Sequence, residues 1–341
     1  MSYFTNKSIL VIGGTGTVGL GLIKGLIKEN PKVIRILSRD EYKQFQIQRH
    51  EEFIREYDNF RFLIGDVRDY ERVERAMAGI DIVFNLAAMK HVGACEYNPA
   101  EAIKTNIDGI NNIIKAAMKN NVQCVLFTSS DKAINPTNTY GATKLLAEKL
   151  IQAANYSKGN CRTKFISVRF GNVMGSRGSV IPLFKKQIIE ENKITITDSD
   201  MSRFMMSLKD AVDLIMKACE ISNGGELFIL KMPVVNLGVL SEVLIEETCK
   251  KYNINKDKIV KEEIGKFKGE KLFEELMTRE EARLAKDLGN MYVVLPENYS
   301  NGYLNKYGNY KNCEDKSYSS HDQVVIDEEE TRNLLIQDGL I

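Results

Sequence analysis

The feature that most constrains this chain is a glycine-rich turn set between a strand and a helix at its N-terminal end. Ser8 to Ile12 is a short apolar run. Gly13-Gly14-Thr15-Gly16-Thr17-Val18-Gly19 follows, and then Leu20, Ile23, Leu26 and Ile27 recur at helical spacing. Glycine permits the tight turn and the close approach of backbone to a pyrophosphate. The helix N-terminus adds free N–H groups and a favourable dipole for that anion. A glycine triplet alone marks only a tight turn, but here it stands in the context a dinucleotide needs. Gly13, Thr15, Gly16, Thr17, Val18 and Gly19 are therefore cofactor-binding candidates. The expected fold is α/β, a Rossmann-type doubly wound parallel sheet with a smaller mixed α/β substrate domain.

The next strand ends reinforce this. Val33 to Leu37 is a strand ending in Ser38-Arg39, with Lys43 close by. NAD binding favours a carboxylate here, on the ribose 2′-hydroxyl. A hydroxyl and two cations suit a 2′-phosphate instead, so NADP is expected over NAD, although Asp40 and Glu41 also stand near. Phe60 to Ile64 is a third strand, followed by Gly65-Asp66-Val67. Asp66 also fits the N-cap of a helix from Tyr70 to Met77. Ile80 to Leu86 leads into Ala87-Ala88-Met89-Lys90-His91, whose small residues let a ribose lie close. Lys90 suits a phosphate or a sugar oxygen; a solvated loop lysine is the bland alternative. His91 has no visible partner and is given no role. A long helix is expected from Glu96-Tyr97-Asn98-Pro99, and Asn106 interrupts its apolar face. A buried amide there needs partners.

The chemistry concentrates between Thr128 and Lys144. Val122 to Phe127 reads as a buried strand and Leu145, Leu146, Leu150 and Ile151 as one face of a helix. Hydroxyls, a carboxylate and an ammonium thus gather at a strand's carboxyl end, where open parallel sheets bind ligands. Tyr140 and Lys144 share a helix face, and a nearby cation favours phenolate. Tyr140 is then a base poised near neutral pH. Tyr-x-x-x-Lys alone is a weak signal, since a packed Tyr and a solvated Lys often fall at that spacing.

Bulk properties exclude more than they assign. Net charge is +1, which gives no reason to expect nucleic acid or an anionic membrane. The six cysteines form no C-x-x-C pair and suit reduced thiols in a cytoplasm. Three histidines are too few for a histidine-rich metal site, and no metal is expected. No signal peptide is read, and no run approaches the ~20 apolar residues of a membrane span.

With the glycine turn upstream, Tyr140 and Lys144 resemble the extended short-chain dehydrogenase/reductase family. Ser130-Asp131-Lys132-Ala133, Asn135-Pro136 and Tyr140-Gly141-Ala142-Thr143-Lys144 are similar, more narrowly, to the UDP-N-acetylglucosamine 4,6-dehydratases. So are Ala87-Ala88-Met89-Lys90-His91, Gly171-Asn172-Val173, Gly178-Ser179-Val180-Ile181-Pro182 and Met201-Ser202-Arg203-Phe204. Lys268-Gly269-Glu270-Lys271 keeps the family's Gly-Glu-Lys but not its preceding Arg-Pro. The resemblance covers about Lys7 to Leu295.

It implies a full set of roles. Asp66 and Val67 would touch adenine. Tyr140, lowered by Lys144, would take the C4 hydroxyl proton, and both would also meet the cofactor. Lys132 would be the base at C5, Asp131 the acid at O6, and Ser130 a substrate hydrogen bond. Asn172, Gly178, Ser179 and Val180 would shape the sugar and diphosphate pocket. Arg203 would meet the diphosphate and Glu270 the uridine ribose, ion pairs being the alternative for both. NADP would be regenerated each turnover. Relatives with C5 retention often carry Met where Tyr140 stands, so inversion is expected. Rival readings are a nucleotide-sugar 4-epimerase, a C5-retaining dehydratase, and a non-catalytic NADP-binding sensor. Relatives form dimers and hexamers, so a homo-oligomer is expected. The organisation expected is residues 1–172 as the NADP-binding domain, to which later segments can return, 173–295 as the nucleotide-sugar region, and 296–341 as a C-terminal loop and helix. Within that plan Leu227 to Lys231 is placed with the substrate domain, and Asn298 to Gln323 as a loop or strap.

Overall fold

The structure is a computed structural model that describes residues 2–297 and 301–341. Its frame is a ten-stranded sheet. Six strands open the chain: β1 (Ser8–Ile12), β2 (Val33–Ser38), β3 (Phe60–Ile64), β4 (Ile82–Asn85), β5 (Cys124–Thr128) and β6 (Lys164–Arg169). They lie in the order β3-β2-β1-β4-β5-β6, all parallel. Every residue of β1 and β5 is buried, as their unbroken apolar runs require when helices cover both faces.

Strand alternation divides the core. Ile9 and Val11 meet Leu22, Ile23 and Leu26 of helix α1 (Thr17–Ile27) on one face. Leu10 and Ile12 meet Val73, Ile110 and Ile113 on the other. β1 pairs with β2 on one side and β4 on the other, so the order reverses there. A crevice opens outside the carboxyl ends of the strands at such a reversal. A separate apolar cluster joins Phe184 and Ile188 to Leu240, Leu244 and Leu335, from helices Val180–Glu191, Leu237–Tyr252 and Glu328–Gln337.

Four expectations are corrected. Leu227–Leu230 belongs to the large sheet, parallel to β6 and antiparallel to Met291–Val294. Its apolar residues are covered on both faces, which an edge of a small domain could not do. Ala285–Asp287 and Lys311–Asn312 extend the same sheet. The stretch expected as a loop holds a helix, Asn301–Tyr307, and short strands Lys311–Asn312 and Tyr318–Ser319. Tyr307 is 1% exposed, and its hydroxyl donates to the Ile221 carbonyl at 2.8 Å. Aromatic burial thus orders a segment whose polar composition suggested none; residues 298–300 of that expectation lie outside the described residues.

The helix expected from Glu96 is broken into Val92–Tyr97, Pro99–Ile103, a π turn Lys104–Asp108 and Gly109–Lys119. Pro99 sits at the start of its own helix, where a missing N–H costs nothing. The π turn carries the buried Asn106, a placement common at functional sites. Finally, the helix Tyr70–Met77 is capped by Asp69, which accepts from Arg72 N at 3.0 Å, so the N-cap alternative for Asp66 fails. Asp66 instead accepts from Arg68 Nη2 at 2.7 Å and faces Arg39 at 3.5 Å.

Candidate active site

Two clefts meet at the carboxyl edge of the sheet. The first has a volume of about 990 Å³. Its wall includes Gly13, Thr15, Gly16, Thr17, Val18 and Gly19 from the turn after β1, and Ser38, Arg39 and Lys43 after β2. Val67, Ala87, Ala88 and Lys90 follow β3 and β4, and Ser130, Lys132 and Tyr140 close the inner end. Asp66 and Lys144, both expected at the cofactor, are not on this wall.

The turn is shaped for close approach. Gly13 has φ +79°, and a Cβ there would meet Ala87 N at 2.8 Å. A Cβ on Gly16 would meet only Gly13 O, at 3.4 Å, so its open side faces the cleft. Helix α1 has Gly16 at its N-cap, with no side-chain cap and no acidic residue in its first turn, which leaves its N–H groups and dipole for an anion. Thr105 Oγ1 and Ser129 Oγ are buried on the same wall with no partner among the described residues. These features fit a dinucleotide.

After β2, Ser38 Oγ lies 2.9 Å from Thr15 Oγ1. Asp40, which clouded the choice between NAD and NADP, is occupied: it caps Glu41–His50 and pairs with Lys43 at 3.0 Å. Arg39 remains half exposed at the mouth.

At the inner end, the 3-10 turn Asp131–Ala133 follows β5 and the helix Thr139–Ser157 carries Tyr140 and Lys144. Asn138 caps that helix, accepting from Gly141 N at 2.9 Å. A Cβ on Gly141 would fall 2.1 Å from Lys132 O, so only glycine lets the helix press against the turn. Asn106 finds the partners its burial demands: it accepts from Met89 N at 2.9 Å and donates to Met89 O and Thr143 Oγ1.

Asp131 is 1% exposed. Its Oδ1 accepts from Ser130 Oγ at 2.6 Å, Lys132 N at 2.9 Å and Lys132 Nζ at 3.1 Å, and Oδ2 accepts from Nζ at 3.2 Å. Glu274 Oε1 faces the same ammonium at 3.7 Å. Burial alone would depress Lys132, but the two carboxylates outweigh it and hold the ammonium above the ordinary lysine range.

The expected electrostatics of Tyr140 are corrected. Burial pushes its phenol up to about 12, while the Lys132 charge and the Ser130 hydroxyl pull the other way. Lys144 does not supply the lowering. Its Nζ donates to Thr128 O at 2.8 Å, lies 4.5 Å from the Phe127 ring centre and 5.9 Å from that of Tyr140. Burial brings Lys144 itself down to about 8 against the pull of Glu148.

The second cleft, about 780 Å³, shares Lys132, Asn172, Gly178 and Ser179 with the first. Val180, Arg203 and Glu270 also line it. Arg203 and Glu270 face each other at 3.5 Å, and Arg203 donates to Lys271 O and Leu272 O. Lys90 lies in the first cleft only, donating to Arg177 O at 3.0 Å.

Sequence reasoning missed Glu274, 3% exposed on the second wall, whose Oε2 has no partner among the described residues. A carboxylate held between Leu272-Phe273 and Leu276-Met277 was the available signal. Among the described residues no cluster could hold a metal ion.

Residues 9–296 match the family model described as polysaccharide biosynthesis protein. The solved structure of Pen from Bacillus thuringiensis superposes with a TM-score of 0.91 at 53% identity, covering 98% of each chain. A UDP-N-acetylglucosamine 4,6-dehydratase (inverting) of Campylobacter jejuni is 43% identical over 86% of this chain and 84% of its own. A UDP-glucose 4-epimerase of Rickettsia bellii is 39% identical over 98% of this chain and 96% of its own. The chain belongs to the polysaccharide biosynthesis protein family, within the extended short-chain dehydrogenase/reductases.

Proposed function

From that membership and the chemistry of the two clefts, we propose that the protein is an NADP-dependent UDP-N-acetylglucosamine 4,6-dehydratase that inverts C5. The observation that carries the reading is Lys132. It stands on the wall common to both clefts with a carboxylate on either side. Interconverting C4 epimers needs only the tyrosine and lysine of the helix. Removing water across C5 and C6 needs a further base and a further acid in reach of the sugar, and this cluster supplies both.

The first cleft would hold the dinucleotide, with Arg39, Lys43 and Ser38 toward a 2′-phosphate. A nicotinamide held there would supply the redox chemistry, storing the C4 hydride until C6 receives it. Tyr140 accepts the C4 hydroxyl proton, helped by Ser130 and the Lys132 charge. The C4 ketone acidifies the C5 proton, and Lys132 removes it. A carboxyl beside Lys132 protonates the departing C6 hydroxyl; Asp131 and Glu274 are both there. Asn172, Ser179, Arg203 and Glu270 hold the nucleotide sugar in the second cleft. Asp66 steadies Arg39 and Arg68 at the adenosine end, and Lys144 supports the floor beneath Tyr140.

The bacterial epimerase relatives favour a second reading, UDP-sugar 4-epimerisation. Incubation with UDP-N-acetylglucosamine in D2O, followed by NMR, separates the two. A 6-deoxy-4-keto sugar of arabino configuration with solvent deuterium at C5 is expected. A C4 epimer with C6 still oxygenated would replace this reading by the second. Unchanged sugar beside bound NADP would point to a non-catalytic sensor, and a retained C5 to the other dehydratase stereochemistry. The expected setting is cytoplasmic, in a homo-oligomer; among the described residues no helix is long and apolar enough to cross a membrane.

A further inference from the structure

Elimination requires an acid with three properties. It must keep a proton at neutral pH, present a free oxygen to the sugar, and stand beside the base. Asp131, the acid implied by resemblance, lacks the second. Both its oxygens are taken by the Lys132 ammonium, Oδ1 also by Ser130 and by Lys132 N, and it lines neither cleft. It reads as the anchor of Lys132.

Glu274 has the free oxygen and the neighbouring base, and burial favours its protonated form. It lies on the wall of the sugar cleft. Its Oε1 is 3.7 Å from Lys132 Nζ, and its Oε2 is buried without a hydrogen-bond partner among the described residues. An unpaired buried oxygen is costly, and a hydroxyl group of a bound sugar would relieve it. Its backbone is fixed: Glu274 N accepts nothing but donates to Ser320 Oγ at 3.0 Å, and Ser320 N donates to Glu274 O at 2.9 Å. Burial raises the carboxyl and Asp131 adds to that, while Lys132, Arg203 and Lys271 oppose.

We propose that Glu274 is the acid that gives its proton to the departing C6 hydroxyl. This rests on the dehydratase reading above. The step balances. In the reactive form the proton of the Lys132–Glu274 ion pair has passed from Lys132 Nζ to Glu274. The C5–H bond then breaks and its proton goes to the freed Lys132 amine. The electron pair forms the C5=C6 bond, the C6–O bond breaks, and the oxygen takes the Glu274 proton and leaves as water. Lys132 ends as ammonium and Glu274 as carboxylate, the ion pair seen in the structure. Tyr140 then gives the proton it took from the C4 hydroxyl to C5 from the opposite face, as inversion requires, while C6 is reduced. Lys132 hands its extra proton back to Glu274, so the sum is substrate giving product and water. With base and acid 3.7 Å apart, hydrogen and hydroxyl depart from one face of the sugar.

The test compares wild type with Glu274→Gln on UDP-N-acetylglucosamine and on its 6-chloro-6-deoxy analogue. Chloride leaves without a proton. The wild type converts both. Glu274→Gln is expected to lose about 10²–10⁴-fold in dehydration of the natural sugar, the range for general acid catalysis. It should still oxidise C4, seen as the near-ultraviolet absorbance of reduced nicotinamide on adding substrate. On the chloro sugar it should eliminate within about threefold of wild type, whereas Lys132→Ala should fail on both. Wild-type dehydration by Glu274→Gln overturns the assignment. So does equal loss on the two sugars, or loss of C4 oxidation with dehydration, since either marks a structural role. If wild type leaves C6 oxygenated, the dehydratase reading falls first and this assignment with it.

Discussion

Two buried clusters in this molecule use the same chemical parts, one cation and two carboxylates, and end differently. Arg169 is 1% exposed. It donates to Glu148 Oε1 and Oε2 at 3.0 and 2.5 Å, to Glu281 Oε2 and Oε1 at 2.9 and 3.0 Å, and to Leu276 O at 2.9 Å. Every guanidinium donor is spent, and β6, the helix Thr139–Ser157 and the capping box at Thr278 are tied together. Lys132 lies between Asp131 and Glu274, but Glu274 keeps one oxygen free and the ammonium faces both clefts. A cluster with nothing left to bond holds the fold. One left incomplete toward a cavity is available for a substrate.

The largest expected effects would break this comparison if reversed. Lys132→Ala should lower dehydration by about 10³-fold or more, with cofactor still bound and thermal stability little changed. Arg169→Met should do the opposite. It strands two buried carboxylates and should cost about 3–5 kcal/mol in urea unfolding, the usual penalty for removing one member of a buried pair. A stable Arg169→Met, or an unfolded Lys132→Ala, would undo the division.

Smaller effects sharpen it. Tyr140→Phe should slow C4 oxidation by about 10²-fold in single-turnover absorbance. Because burial holds the phenol near 12, the wild-type oxidation rate should climb as pH rises through neutrality. Lys144 titrates from the ordinary 10.5 down to about 8. Between those values the unfolded chain binds the proton that the native one has lost, so native stability gains with rising pH there. Lys144→Met should flatten that gain in urea melts at pH 8 and above. The mildest change is Arg39→Ala, expected to weaken NADP by about tenfold, or about 1.4 kcal/mol, while sparing NAD, measured by titration.

Most of the first cleft was legible because its residues are contiguous. The glycine turn, Ser38-Arg39 and Ala87-Ala88 each follow a strand that its own apolar run announces. The second cleft draws Asn172, Arg203, Glu270 and Glu274 from distant stretches, and only packing decides which of them meet. Glu274 was missed because Glu275 carries the same carboxylate in the same apolar stretch, and only packing decides that Glu274 is the one buried. Leu227–Leu230 was misplaced because an apolar run does not say which sheet it joins. Tyr140 was misjudged because spacing shows a neighbouring charge but not the desolvation that outweighs it. Asp131 and Asp69 show the reverse case, polar groups whose hydrogen bonds are set within a few residues.

The clasp between Ser320 and Glu274 ties the chemistry to the order in which the chain is made. The dinucleotide cradle is encoded early and can form while synthesis continues. The sugar-side carboxylate gains its support only once the stretch around Tyr318 and Ser319 has emerged and paired with Glu275–Met277. The residues of the first cleft therefore precede, in chain order, the stretch that fixes Glu274, and a chain lacking Ser320 would keep the first cleft and lose the clasp on Glu274.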